Sequence, residues 1–170
     1  MPCFWPATET APQCSPGSES LLDWTPGHNP PATSMSIDRD RAALLFANET
    51  FYRAFAGRDV TLMGALWADV EQVTCLHPGW PPVEGRDAVL QSWHAILTGP
   101  ASPNIECLQA RANLHGDTGI VICYERIGPD YLLATNIFIR SGDGWLIVHH
   151  QSGTAPDPDE ETATPRRRLN

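Results

Sequence analysis

The stretch from residue 105 to residue 151 constrains the fold most. Four apolar, strand-like segments, 105–115, 119–127, 131–140 and 145–151, follow one another with short turns between them: Gly116-Asp117, Gly128-Pro129-Asp130 and Ser141-Gly142-Asp143-Gly144. Parallel neighbours need a crossover of a dozen or more residues, so turns this short predict consecutive antiparallel hairpins. The C-terminal half is therefore expected to be a four-strand meander.

Ahead of the meander the pattern is helical. Asp38 is positioned to cap a helix running to about Ala56, with Leu44, Asn48, Phe51, Tyr52 and Phe55 along one face. Gly57 stands where a left-handed residue would end it. Asp59 precedes a short second helix, 60–67, with Leu62, Leu66 and Trp67 turned inward. A loose strand is expected over 69–77, after which Pro78, Pro81 and Pro82 rule out regular structure. A third helix starts near Arg86 and stops before Gly99, burying Val89, Trp93, Ile96 and Leu97. Three helices and then a meander give an α+β fold, with the helices on one face of a curved antiparallel sheet. Adjacent apolar pairs such as Leu132-Leu133 and Ile137-Phe138 make the strands apolar on both faces. The outer face therefore needs a cover, and a second copy of the chain is the simplest one, so a homodimer is expected.

Composition sets the remaining bounds. Many of the 16 prolines fall near the two ends. Residues 1–36 read as a disordered or loosely docked arm, 37–154 as the domain and 155–170 as a disordered charged tail. A net charge of −9 speaks against nucleic acid or an anionic membrane as partner. No apolar run approaches the ~18 residues of a membrane span. The start of the chain has neither the basic nor the apolar segment of a secretory signal. Five scattered cysteines then read as reduced thiols, and a cytoplasmic location is expected.

Four pieces together resemble a known superfamily. They are Phe51-Tyr52-Arg53-Ala54-Phe55 followed by Gly57-Arg58-Asp59, then His77-Pro78-Gly79-Trp80, then Gly85-Arg86-Asp87-Ala88-Val89 through Ser92-Trp93. The last is Thr135-Asn136-Ile137-Phe138 with Asp143-Gly144-Trp145 and the pair His149-His150. In order and spacing the chain resembles the nuclear transport factor 2-like superfamily and, within it, the SnoaL-like branch. The resemblance implies a cystatin-like α+β roll: a cone of sheet wrapped by helices, a pocket at its wide end and a dimer through the outer sheet face. Relatives of that kind include isomerases, cyclases, dehydratases, ligand carriers and non-catalytic adaptors, so the fold alone does not name an activity.

The pocket residues follow from strand alternation. Trp145, Ile147, His149 and Gln151 share one face of the last strand, and Leu146, Val148, His150 and Ser152 the other. Asn136 and His149 are expected to face inward with Trp145, and His150 toward the dimer face or solvent. A polar residue on an apolar strand face needs a partner, and a pocket supplies one. His77, at the Pro-Gly turn, stands near the expected mouth and suits acid–base work. Its alternative is to hold the turn. Glu125 lies mid-strand, as a proton carrier or as the partner of Arg111 or Arg140.

His77, His149 and Glu125 are thus the candidate catalytic residues. Tyr52, Trp80, Trp93 and Asn136 are the candidate ligand-binding residues for a small, largely apolar molecule, while Trp67 and Trp145 read as core. Cys75-Leu76-His77 matches no compact metal spacing, and no glycine-rich phosphate loop is present, so neither a metal nor a cofactor is expected. The chemistry implied is cofactor-free proton transfer. The alternatives are non-catalytic binding and a dimeric interaction module.

Overall fold

In the computed structural model the described residues are 31–100 and 102–159. Most of the expected arm, and residues 160–170 of the tail, lie outside them. The order is α1 (Pro31–Ala56), α2 (Val60–Leu66), β1 (Thr74–Leu76), β2 (Val83–Glu84), α3 (Arg86–Thr98), β3 (Glu106–His115), β4 (Thr118–Ile127), β5 (Asp130–Ser141) and β6 (Gly144–Ala155). One six-stranded sheet has the order β2-β1-β6-β5-β4-β3. All pairings are antiparallel except β1 with β6.

The first helix begins seven residues before the expected cap. Its first residue is Pro31, at a position where a missing N–H costs nothing. Asp38 is therefore inside the helix, 3.6 Å from Arg41 one turn on. The helix end also differs from expectation. Arg58, not Gly57, takes the left-handed conformation, with φ 51°. Its N–H bonds the carbonyl of Phe55, and the Asp59 N–H bonds that of Ala54, a Schellman motif that ties off the last carbonyls. Asp59 does cap α2, its carboxylate accepting from the Leu62 N–H at 2.8 Å.

The expected strand over 69–77 shrinks to Thr74–Leu76, wedged between β6 and the two-residue β2. The meander stands as expected. Each hairpin closes through two residues, and Gly116, Gly128 and Gly142 lead these turns with φ of 57–61°. The last strand runs beyond Gln151 to Ala155, past the expected domain end at 154.

Two bulges bend the sheet. One lies in β3, where the register slips between Leu108 and Arg111 and Gln109 adopts a φ of 51°. The other lies in β6. Ile137 faces His149, but Phe138 faces Ile147, so Val148 is the extra residue. The concave side receives the helices. Leu44, Phe51, Phe55, Met63, Trp67, Val89, Trp93, Val121, Phe138 and Ile147 form a continuous core with it. At Gly119 the approach is close: an added Cβ would lie 2.6 Å from a Leu44 methyl. Arg140 fastens α1 to the sheet, with its guanidinium on both carboxylate oxygens of Asp40 and on Asp117, over the Trp145 ring. Among the described residues no helix is long and apolar enough to cross a membrane.

Candidate functional site

Between the helices and the concave sheet lies a cavity of about 850 Å³. Its walls are mainly aromatic and apolar: Phe51, Tyr52 and Phe55 from α1, Trp93 and Ile96 from α3, and Leu132 from β5. The periodicity of α1 explains its share, since the face that packs on the sheet carries three aromatic residues within five positions. Trp80 stands in the turn after β1, half exposed, with its ring 5.0 Å from that of His77. The polar part of the lining includes His77, Glu125, His150 and Ser152.

Glu125 projects from β4 and is 3% exposed. Tyr52 donates to one of its oxygens at 2.8 Å and Ser152 donates to the other. Burial raises its pKa, and these two hydrogen bonds oppose the rise. Neither arginine considered for it is its partner: Arg140 is engaged with Asp40 and Asp117, and Arg111 is exposed on β3. Burial, and then the nearby Glu125 charge, raise the Tyr52 phenol, which therefore stays a donor.

The histidine assignment on β6 is corrected by the bulge. The extra residue Val148 reverses the alternation, so Trp145 and Ile147 face inward before it and His150 and Ser152 after it. His150 is 3% exposed and lines the cavity. His149 turns to the other face, where its Nδ1 lies 2.6 Å from the Thr74 hydroxyl, and it does not reach the cavity. Asn136 faces inward as expected but is fully buried behind His150, away from the cavity lining. Its amide nitrogen donates to Asn48 Oδ1 at 2.7 Å, and its oxygen lies 2.6 Å from His150 Nδ1. An amide oxygen only accepts, so Nδ1 carries the proton and the Nε2 lone pair of His150 is left free. Burial, helped by the neighbouring histidines, lowers the His150 pKa to about 3, so the ring is neutral at ordinary pH.

His77 follows the same logic to a different end. Ser92 donates its hydroxyl proton to the Val89 carbonyl at 2.7 Å. The Ser92 oxygen then accepts from His77 Nε2 at 2.9 Å. That direction is opposite to the one that would activate a serine nucleophile. Burial lowers the His77 pKa to about 4. Cys75 lies 3.5 Å from His77, and burial pushes its thiol up to about 12, which makes it a poor nucleophile.

The structure thus brings His77, Glu125, Tyr52, Trp80 and Trp93 to the cavity and leaves His149 and Asn136 outside it. Sequence reasoning missed His150 and Ser152 as lining residues, together with Asn48 and Ser92 behind them. No local signal separated them, because His149 and Gln151 form the same kind of polar pair on the opposite parity. Among the described residues no three His, Cys, Asp or Glu side chains converge to hold a metal.

Residues 45–157 match the SnoaL-like domain family. A candidate dehydratase of the NTF2-like family from Streptomyces avermitilis is 31% identical and superposes with a TM-score of 0.65, over 71% of this chain and 99% of that one. A candidate calcium/calmodulin-dependent protein kinase type II association domain from Thiobacillus denitrificans is 30% identical, with a TM-score of 0.56 over 65% of this chain and 93% of that one. The F-box protein SKIP8 of Arabidopsis thaliana is 24% identical over 121 residues, 70% of this chain. The chain spans about half the length of that curated relative, 52%.

Proposed function

The chain belongs to the SnoaL-like domain family of the NTF2-like superfamily, and on that premise we propose that its cone holds a small, largely apolar molecule and moves a proton on it without a cofactor. The observation that carries this reading is Glu125. A carboxylate sits at the wall of an aromatic cavity, held by two hydroxyls and, among the described residues, paired with no cation. Burial makes it a stronger base than an exposed carboxylate, which is the adjustment general-base catalysis needs. Glu125 accepts a proton from carbon and returns it. Returned to another carbon, the proton completes an isomerisation. Delivered to a neighbouring hydroxyl, it releases water and leaves a double bond, with the carboxylate restored. The likeness to a candidate dehydratase favours elimination. His150 Nε2 orients the molecule, and Trp80 covers the mouth.

A second reading rests on the other side of the sheet. Ile122 and Leu133 are 37% and 43% exposed there, and one solved relative is a candidate association domain. A second copy covering that face is compatible with proton transfer inside the cone.

Native mass spectrometry of the purified protein tests the first reading by looking for a retained small molecule. Incubation in D2O should then place deuterium on that molecule. Glu125→Gln should slow the exchange by about a hundredfold or more, and His149→Ala should leave it unchanged. Equal exchange in wild type and Glu125→Gln would refute the proton-transfer role.

A further inference from the structure

The hydrogen-bond inventory of the cavity deepens this reading, on which it rests, by naming the polar group of the ligand. The donors that touch Glu125, His77 and His150 are already engaged, and the further hydroxyls of the lining are those of Ser102, Tyr131 and Thr154. Tyr52 and Ser152 donate to Glu125, and Ser92 donates to the Val89 carbonyl. His77 Nε2 donates to Ser92, and His150 Nδ1 donates to Asn136. The Asn136 amide donates to Asn48. The indole N–H of Trp93 has no partner but also no exposed surface from which to reach a ligand. Among the described residues no arginine lines the cavity, and the chain has no lysine.

The acceptors, by contrast, are open. His150 Nε2 has a free lone pair, and each Glu125 oxygen has one beyond the hydrogen bond it already accepts. An acceptor brought against acceptors leaves buried lone pairs facing each other, and an anion adds like-charge repulsion from Glu125. A hydroxyl or an N–H satisfies them. We infer that the cavity selects an apolar molecule whose polar end is a hydrogen-bond donor, an alcohol, phenol or amine, and discriminates against ketones and carboxylates of the same shape. Among the described side chains that touch Glu125 and His150, no donor is left free for an enolate oxygen, in contrast to a carbonyl-polarising isomerase. Asn136, expected to contact the ligand, holds the tautomer of His150 instead.

A matched series on one flat scaffold tests the inference: naphthalene, 2-naphthalenemethanol, 2-naphthylmethylamine, 2-acetonaphthone and 2-naphthoate, titrated into the full chain calorimetrically near neutral pH. The alcohol and the amine should bind at least about tenfold more tightly than the ketone, with the carboxylate weakest. A ketone or carboxylate binding as tightly as the alcohol overturns the inference while leaving the apolar cavity intact. If no member binds, parent naphthalene included, the cavity reading itself fails and the inference falls with it. Glu125→Gln replaces one acceptor oxygen with a donor of the same shape. In this variant the alcohol-to-ketone affinity ratio should fall about tenfold, with the fold checked by circular dichroism. An unchanged ratio in the folded variant removes Glu125 from the selection. The wild-type series decides the proposal even if the variant does not fold.

Discussion

His77 and His150 are both buried as neutral rings, and that ties stability to pH. Their folded pKa values, about 4 and about 3, lie below the ordinary 6.5. Above 6.5 both states leave the imidazoles neutral and the full stability is present. As pH falls from there toward the folded values, the unfolded chain takes up protons that the folded chain refuses, so stability is lost. Each ring should cost on the order of 2 kcal/mol by about pH 5. Glu125 works in the opposite sense, because its pKa is raised: it adds stability on acidification and loses it as pH rises through its folded value. Urea unfolding followed between about pH 7 and pH 5 should show a falling midpoint, and His150→Phe should flatten the fall. A midpoint independent of pH across that window would show that the two rings are not buried neutral.

Among the elements, α1 packs closely on β4 at one point. Gly119 leaves room for the Leu44 side chain, and a methyl there would stand 2.6 and 2.7 Å from its two Cδ atoms. Gly119→Ala should destabilise by about 1–3 kcal/mol through overpacking. Combining it with Leu44→Val should cost less than the sum of the two changes, measured by chemical unfolding, because the clash is shared. The face that α1 buries was legible in the sequence, since Leu44, Asn48, Phe51, Tyr52 and Phe55 all follow one local period and all are buried. The hairpins were legible too, because a glycine with positive φ marks each turn. The bulge in β6 was not. Val148 is an ordinary strand residue, and what makes it supernumerary is its pairing with β5, a relation between distant residues. The error over His149 and His150 follows from that one residue. The hydroxyls that hold Glu125, from Tyr52 and Ser152, lie 73 and 27 positions away from it. No local pattern could assemble them.

For the molecule as a whole, the proposed second copy would sit on the outer sheet face. Ile122 and Leu133 lie on neighbouring strands, and Tyr124 is the residue directly opposite Leu133. A second copy seated there would bury the strip. Light scattering should therefore give twice the 18.6 kDa chain mass at micromolar concentration, and Leu133→Glu should shift it to one chain. A single-chain mass for the wild-type protein would dispose of the dimer.

The extra residue in β6 has a further consequence. Val148 acts as a change of phase: before it the inward face of the strand holds the odd positions, after it the even ones. The distance that matters is the three-residue step from Ile147 to His150, where an uninterrupted strand would show only steps of two. Comparison of this strand with a relative that lacks the insertion must skip one position at 148. Otherwise each functional residue after it is paired with its neighbour. The doublet His149-His150 hides such a slip, because a histidine stands in the column either way. Ser152 exposes it, since the same slip sets Gly153 or Gln151 against the hydroxyl that grips Glu125.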